Sequence, residues 1–299
     1  MDEVLFRLEK NRKAVMKCYL LNGLLLLISG LSFLPLRNTN AVFVPVLFFL
    51  ATIIYYLSFT WKKQSAYVKS YKHDIVEAIL KKSFTDLYFD PKNGLAQGTI
   101  KDTGMMMMGN RYHSDDYIRG KYKDINFEQS DVCIQQVTSN GKTTTTTTYF
   151  KGRWMIFEFN KNFAADMQVR ESGFHYAKSN SGWFTAKEDR MEKLDLEDAE
   201  FNRDFDVYAA NEHEAYYILT PHIMQSIKTL RDRTDGKLIL CFVTSRLHVG
   251  VNNNKNAFEP PIFRALDAGV VSSINDEINV ITRFVDELKL DRNLYKQNS

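Results

Sequence analysis

Cysteine, a net charge of either sign and any complete catalytic motif are what this sequence lacks. Its three cysteines, Cys18, Cys133 and Cys241, are odd in number, far apart and without C-x-x-C spacing. That argues against a disulfide framework and a thiolate zinc site, and it fits a reducing compartment. The balance of 39 basic against 36 acidic side chains leaves a formal charge of +3, so no nucleic acid partner is expected and any basic character is local. With 44% hydrophobic and 25% charged residues in 34.7 kDa, the chain has the composition of a folded protein of one large or two small domains.

The incomplete motifs are instructive one by one. Residues 139–161, "SNGKTTTTTTYFKGRWMIFEFNK", contain G-K-T, but a phosphate-binding loop needs G-x-x-x-x-G-K-[ST] and a helix starting at the lysine. Gln136 stands where the first glycine belongs, and the threonines and aromatics after Lys142 favour a strand. No nucleotide is therefore expected at Gly141, Lys142 and Thr143, and Asn140-Gly141 reads as a hairpin turn. "HEAYY" opens at His213 like a zincin H-E-x-x-H, but Tyr217 replaces the second histidine. There is no G-x-S-x-G elbow, and no cysteine and histidine share a recognisable motif. His222, at a helix start, and His248, opposite the apolar face of its strand, have no partner identifiable from sequence.

Two clusters remain. "HSDD", residues 113–116, groups His113 with Asp115 and Asp116, a set able in principle to bind a metal or act as acid and base; as a loop cluster it is expected to be solvated. Met105, Met106, Met107 and Met108 offer soft copper ligands or an adaptable surface, but adjacent residues cannot all face one ion, which favours core filling at an element end. No catalytic residue, cofactor or metal ligand is assigned.

Long apolar runs are what the chain does have. Residues 18–36, "CYLLNGLLLLISGLSFLPL", and 41–61, "AVFVPVLFFLATIIYYLSFTW", hold no charged residue, and each is long enough to cross ~30 Å of hydrocarbon as a helix. The connector "RNTN" makes them an antiparallel hairpin. A cleaved signal peptide explains only the first run. Arg7, Lys10, Arg12, Lys13 and Lys17 precede the spans and Lys62, Lys63, Lys69, Lys72, Lys81 and Lys82 follow, against Arg37 alone in the connector, so both termini are expected in the cytoplasm. Tyr55, Tyr56, Phe59 and Trp61, followed by Lys62 and Lys63, read as membrane-interface anchors. Without an ionisable residue inside either span, a proton or ion relay is not expected.

The apolar spacing of Tyr67, Tyr71, Ile75 and Ile79 predicts an amphipathic juxtamembrane helix over 62–90, ended by the turn "DPKNG". Residues 1–17 form an amphipathic segment, with Leu5, Leu8 and Val15 inward, that either packs on that helix or lies on the membrane. Residues 91–194 read as a β-rich subdomain, a meander of three or four antiparallel strands including "DVCIQQV", the threonines and "GRWMIFEFN", with "FNKNF" turning into "AADMQVRES". The acidic "EKLDLEDAE" reads as a solvated linker into an α/β subdomain, 195–299. There "DFDVYAA", "KLILCFV" and "LHVGV" are strands, the last two around a turn at Ser245 and Arg246. Asn211 and Thr220 cap helices, and Ile223, Ile227 and Leu230 lie on a buried stripe. A final helix over 273–290 carries Ile274, Ile278, Ile281, Val285 and Leu288 at spacing that favours a packed core helix over a coiled coil. The expected class is α+β: an N-terminal transmembrane helical hairpin, 18–61, followed by a cytosolic domain of mainly antiparallel sheet packed with helices.

Together with the two spans, "LYFDPKNGL", "DDYIRGKYKDINFEQSDV", "YFKGRWMIFEFNKNF", "EFNRDFDVYAANEHEAYYILTPHIMQSIKTL" and "FVDELKL" resemble the bacterial membrane proteins of the domain of unknown function 3137 family. The pairing of F-K-G with L-T-P is the specific part. The resemblance implies a bacterial cytoplasmic (inner) membrane protein with a LemA-like membrane protein as partner; it supplies no activity, cofactor or site residue. The expected function is a membrane-anchored binding or scaffold module, non-enzymatic, with the lipid bilayer and another membrane or cytosolic protein as partners and a homo-oligomer as an option. The alternative is a membrane-anchored hydrolase or metal-dependent enzyme with a dispersed active site that includes His113, Asp115 and Asp116.

Overall fold

The structure, a computed structural model, describes residues 2–41, 43–158, 166–173 and 191–290. The chain divides into two compact units, Met1–Ile79 with Phe258–Asn275 and Leu80–Ala257 with Asp276–Ser299.

The first unit is built on two long helices. Helix α1, Asp2–Leu36, runs unbroken through the amphipathic N-terminal segment and the first apolar run. Helix α2, Phe43–Ser83, is continuous through π-turns at Tyr56–Thr60 and Lys72–Val76. Both are long and apolar enough to cross a membrane. Polar pairs fix their antiparallel register: Tyr19 Oη donates to Gln64 (2.6 Å), Asn22 Nδ2 to Thr60 Oγ1 (2.7 Å), and Ser29 Oγ to the Pro45 carbonyl (2.9 Å). Of the two options for residues 1–17, packing on the helix after Trp61 is the one observed. Leu8 and Val15 are buried, and Arg7 pairs with Asp74 at 2.7 Å. Tyr67, Tyr71, Ile75 and Ile79 are buried as their spacing predicts.

The return segment closes this unit. Arg12 donates to the Ile262 carbonyl (2.6 Å), Tyr67 to the Pro261 carbonyl (2.8 Å), and Glu9 accepts from the Leu266 N–H (3.0 Å). Hydrogen bonding from Arg12, with the Leu266 N–H and the charge of Lys13 adding to it, outweighs burial and holds the Glu9 carboxyl down at about 2.

The second unit is a nine-stranded antiparallel sheet: β1 Thr85–Asp90, β2 Arg111–Tyr122, β3 Ile125–Ser139, β4 Thr144–Glu158, β5 Met167–Glu171, β6 Glu192–Leu194, β7 Phe205–Ala209, β8 Lys237–Val243 and β9 Arg246–Asn252. Their order is β1-β2-β3-β4-β9-β8-β5-β7-β6, so strands from both sides of Leu194 join one sheet. The helices are α3 Gln97–Lys101, α4 Ala199–Asp204, α5 Glu212–Ile218, α6 Pro221–Arg233 and α7 Ala268–Glu287. Alternation along the central strands sends Val132, Ile134, Trp154 and Ile156 to one face, where Leu95, Ile100, Met105 and Met106 cover them. Met105 and Met106 fill this core as expected, and Met108 packs against it half-buried. On the other face Phe157 stacks on Phe284 of α7 at 6.2 Å between centroids, and Ile278, Ile281 and Val285 are buried. The glycine of F-K-G, Gly152, is required by close approach: a Cβ there would lie 2.1 Å from the Val251 carbonyl oxygen of the neighbouring strand.

The caps form as read: Asn211 accepts from the Glu214 N–H and Thr220 from the Ile223 N–H, with Pro221 at the first helical position. Several boundaries differ. Helix α2 stops at Ser83, and 85–90, rich in β-branched and aromatic residues, is strand β1 rather than helix; Asp90 still caps the turn after it by accepting from the N–H of Lys92 and Asn93. "EKLDLEDAE" is not a solvated linker: Leu194 and Leu196, two apart, are buried, the edge strand β6 pairs with β7, and Asp198 caps α4. Helix α7 starts at Ala268, not near 273, and the β8–β9 turn is Thr244-Ser245, with Thr244 at a φ of 52°. The turn expected at "FNKNF" lies outside the described residues.

Candidate functional site

The apolar hairpin exposes what a soluble core helix hides. Leu31 is 74% and Ile54 63% exposed, with Leu20, Leu24, Leu27, Leu34, Phe43 and Leu47 in the same condition. The polar side chains inside the runs turn toward each other, as the Asn22–Thr60 and Ser29–Pro45 pairs do. All five expected interface anchors fall on α2. Tyr55 donates to Cys18 Sγ and stacks on Phe59 at 5.3 Å; Tyr56 meets Tyr19 edge-on at 6.4 Å; Trp61, Lys62 and Lys63 are exposed.

A second constellation lies in the sheet. "HSDD" is on strand β2, not in a loop, and Asp115 pairs in register with Asp131 of β3. The register shifts between Asp115 and Ile118; Asp116, at a φ of 52° that aspartate tolerates better than most residues, sits in this bulge and is buried. The bulge thus turns a second acid inward. Asp115, Asp116 and Asp131 each bring a carboxylate oxygen within 4.8 Å of the others. His113 stays at the rim, largely exposed, 3.6 Å from Asp115.

Asp131 is the pivot of the cluster and is 3% exposed. Its Oδ2 accepts from the Ala257 N–H, while Oδ1 has no hydrogen-bond partner among the described residues. Burial, reinforced by Asp116, pushes its carboxyl up to about 8 against the opposing charge of Arg153. Arg153 stands across the ladder from Asp131 and binds Glu277 of α7 through the backbone carbonyl (2.6 Å) and the carboxylate. Two residues along β3, Gln129 is fully buried, with neither amide atom hydrogen-bonded among the described residues. Chemically this is a cluster of acids beside one guanidinium, with burial favouring the protonated form of Asp131, and the three oxygens have a spacing that a hard divalent cation can use.

Sequence reasoning found Asp115 and Asp116 but not Asp131, Arg153 or Gln129, because strand pairing across fifteen or more positions brings them together. The only local hint was a polar residue at an inward position of each strand. His248 lies opposite the Leu247, Val249 and Val251 face of β9 as read, and the structure supplies the partner the sequence could not: it is buried, and its Nδ1 accepts from Trp154 Nε1 at 3.3 Å. His213 is exposed at the start of α5, whose cap is Asn211. Gly141 takes a left-handed turn, φ 81°, between β3 and β4, and Asn140 Oδ1 accepts from the N–H of Lys142 and Thr143; a strand, not a helix, follows. A cleft of about 370 Å³ across strands β1 to β4 is lined by charges already paired, Lys121 with Asp86 (2.7 Å) and Glu158 with Arg246 outside the lining (3.3 Å).

Fold and sites therefore define an α+β protein with a nine-stranded antiparallel sheet and an exposed apolar helical hairpin. Residues 148–290 match the model of the family described as protein of unknown function (DUF3137), which supports assigning this part of the chain to that family. The match runs from β4 past the end of α7 and contains both F-K-G and L-T-P. No curated protein matches the chain. Among solved structures, the chain is similar to the mycobacterial trehalose monomycolate transport factor A, TtfA, at 10% identity and a TM-score of 0.41, over 75% of this chain and 93% of that one.

Proposed function

We propose that the protein is a membrane-anchored binding or scaffold module without catalytic activity of its own, held at the bacterial cytoplasmic (inner) membrane by the α1–α2 hairpin. Both termini and the sheet unit face the cytosol in this reading, with Tyr55, Tyr56, Trp61, Lys62 and Lys63 at the inner interface. The observation that carries it is the exposure of two uncharged runs, 18–36 and 41–61, whose side-chain donors Asn22 and Ser29 turn inward onto the other helix. In water such a surface far exceeds what a soluble monomer leaves open, whereas in lipid it is the favourable state. The lysine and arginine asymmetry sets the direction. The bilayer is the first partner, and a membrane or cytosolic protein, LemA-like by family resemblance, is the second. Alkaline washing of bacterial membranes should leave the full-length protein in the pellet, and crosslinking in intact membranes should recover it with one stoichiometric partner. Release by the wash contradicts the anchor, and recovery of the protein alone contradicts the scaffold.

A second reading, a metal-dependent hydrolase, is favoured by one observation, the convergence of Asp115, Asp116 and Asp131. It expects Mg²⁺ or Mn²⁺ to raise the melting temperature of the full-length protein and Asp115→Asn to abolish that shift while abundance is unchanged. An unchanged melting temperature removes it.

A further inference from the structure

We propose that the outer edge of β4, residues 144–148, pairs antiparallel with the same edge of a second copy of this chain, making the protein a two-fold dimer through its threonine ribbon. Strands β3 and β4 outrun their neighbours. Strand β9 accompanies β4 only from Gly152 to Glu158, and the last links on that side are the Lys151 N–H to Asn252 Oδ1 and the Asn254 N–H to the Lys151 carbonyl. Past that point no described residue pairs with the outer side of β4, and Thr144 to Thr148 are exposed. The opposite flank of the ribbon is treated differently. There the Asn110 side chain donates to the Val137 carbonyl and accepts from its N–H, taking the place of a further strand.

The sheet's two terminal strands also carry protection that this edge lacks. Strand β1 is broken by a register shift and carries Asp86 and Asp90; β6 is three residues long and carries Glu192 and Lys193. Residues 144–149, "TTTTTY", hold no charge, proline or glycine. The register shift of β4 against β3 falls at Tyr149, where the ribbon leaves the body of the sheet, so Thr144 to Thr148 form an open, regular, β-branched edge without such devices, a template for another strand.

The occupant follows from self-complementarity. Paired antiparallel about a two-fold axis at Thr146, the run places Thr144 opposite Thr148 and Thr145 opposite Thr147, with no like charges opposed and hydroxyls able to bond across the pair. The edges of β1 and β6 would oppose Asp86 and Asp90, or Glu192 and Lys193, in the same operation. This inference does not depend on membrane insertion, and the same result is expected in any detergent that keeps the protein folded.

The test uses the full-length protein in detergent micelles, with protein mass read by light scattering across micromolar concentrations. The wild type is expected to be a dimer. Thr144→Glu, Thr146→Glu and Thr148→Glu together should weaken association about tenfold or more by setting like charges face to face, and the corresponding lysine triple should do the same. An equimolar mixture of the two triples should restore the dimer. The altered side chains are exposed, so melting of each variant should match the wild type and separates lost pairing from lost fold. A monomeric wild type, a dimer indifferent to both triples, or a mixture that fails to associate overturns the proposal.

Discussion

The α1–α2 hairpin and the nine-stranded sheet are built from the same apolar residue types and point them in opposite directions. Leu31 in α1 is 74% exposed, whereas Leu240 in β8 and Trp154 in β4 are fully buried. Polar groups differ in the reverse sense. In the hairpin the buried Asn22 is neutral and its amide donates to Thr60; in the sheet Asp131, Arg153 and Gln129 are charged or polar groups enclosed among apolar layers. The difference teaches that the sheet unit turns its apolar residues inward and encloses ionisable groups among them, while the hairpin turns its leucines outward, the arrangement expected of a surface that lipid covers.

The largest expected effect separates the two regions directly. Trp154→Ala should destabilise the sheet unit by about 3–5 kcal/mol, and Leu31→Ala should change the melting of the detergent-solubilised protein by no more than about 0.5 kcal/mol. Equal losses from calorimetry would mean that Leu31 is packed against protein. A smaller effect concerns Asp131. Its carboxyl titrates at about 8 in the folded protein against 3.8 ordinarily, so the folded state holds an extra proton between those values and stability falls as pH rises through that window. Asp131→Asn, which keeps an acceptor for the Ala257 N–H, should flatten the slope, by at most about 1.4 kcal/mol per pH unit. Denaturant titrations at pH 5 and 8 decide it; an unchanged slope means the carboxyl is ionised throughout. Smallest is Asn22→Val, expected to cost about 0.6 kcal/mol of hairpin stability in detergent, the usual worth of a hydrogen bond between helices in a membrane.

Much of the fold was legible because its signals are local. The uncharged runs, the Asn211 and Thr220 caps, the Asn140-Gly141 turn and the Ile274–Ile278–Ile281 spacing each depend on residues within a few positions of one another. Misreadings arose where tertiary context outweighs local pattern. Residues 85–90 continue a helical run but are captured by β2, and "EKLDLEDAE" has a linker's acidity but two leucines at strand spacing. The candidate site was half legible. Asp115 and Asp116 are adjacent in sequence, but only the β2–β3 register and its bulge bring Asp131 to them, and only the β3–β4 ladder brings Arg153.

The central claim is that residues 18–61 cross the membrane twice and leave the sheet unit in the cytosol. The most direct test is a reporter inserted at Asn38, in the connector between the helices, compared in living bacteria with the same reporter at the C-terminus. The account predicts periplasmic activity at Asn38 and cytoplasmic activity at the C-terminus; a cytoplasmic signal at Asn38 contradicts it.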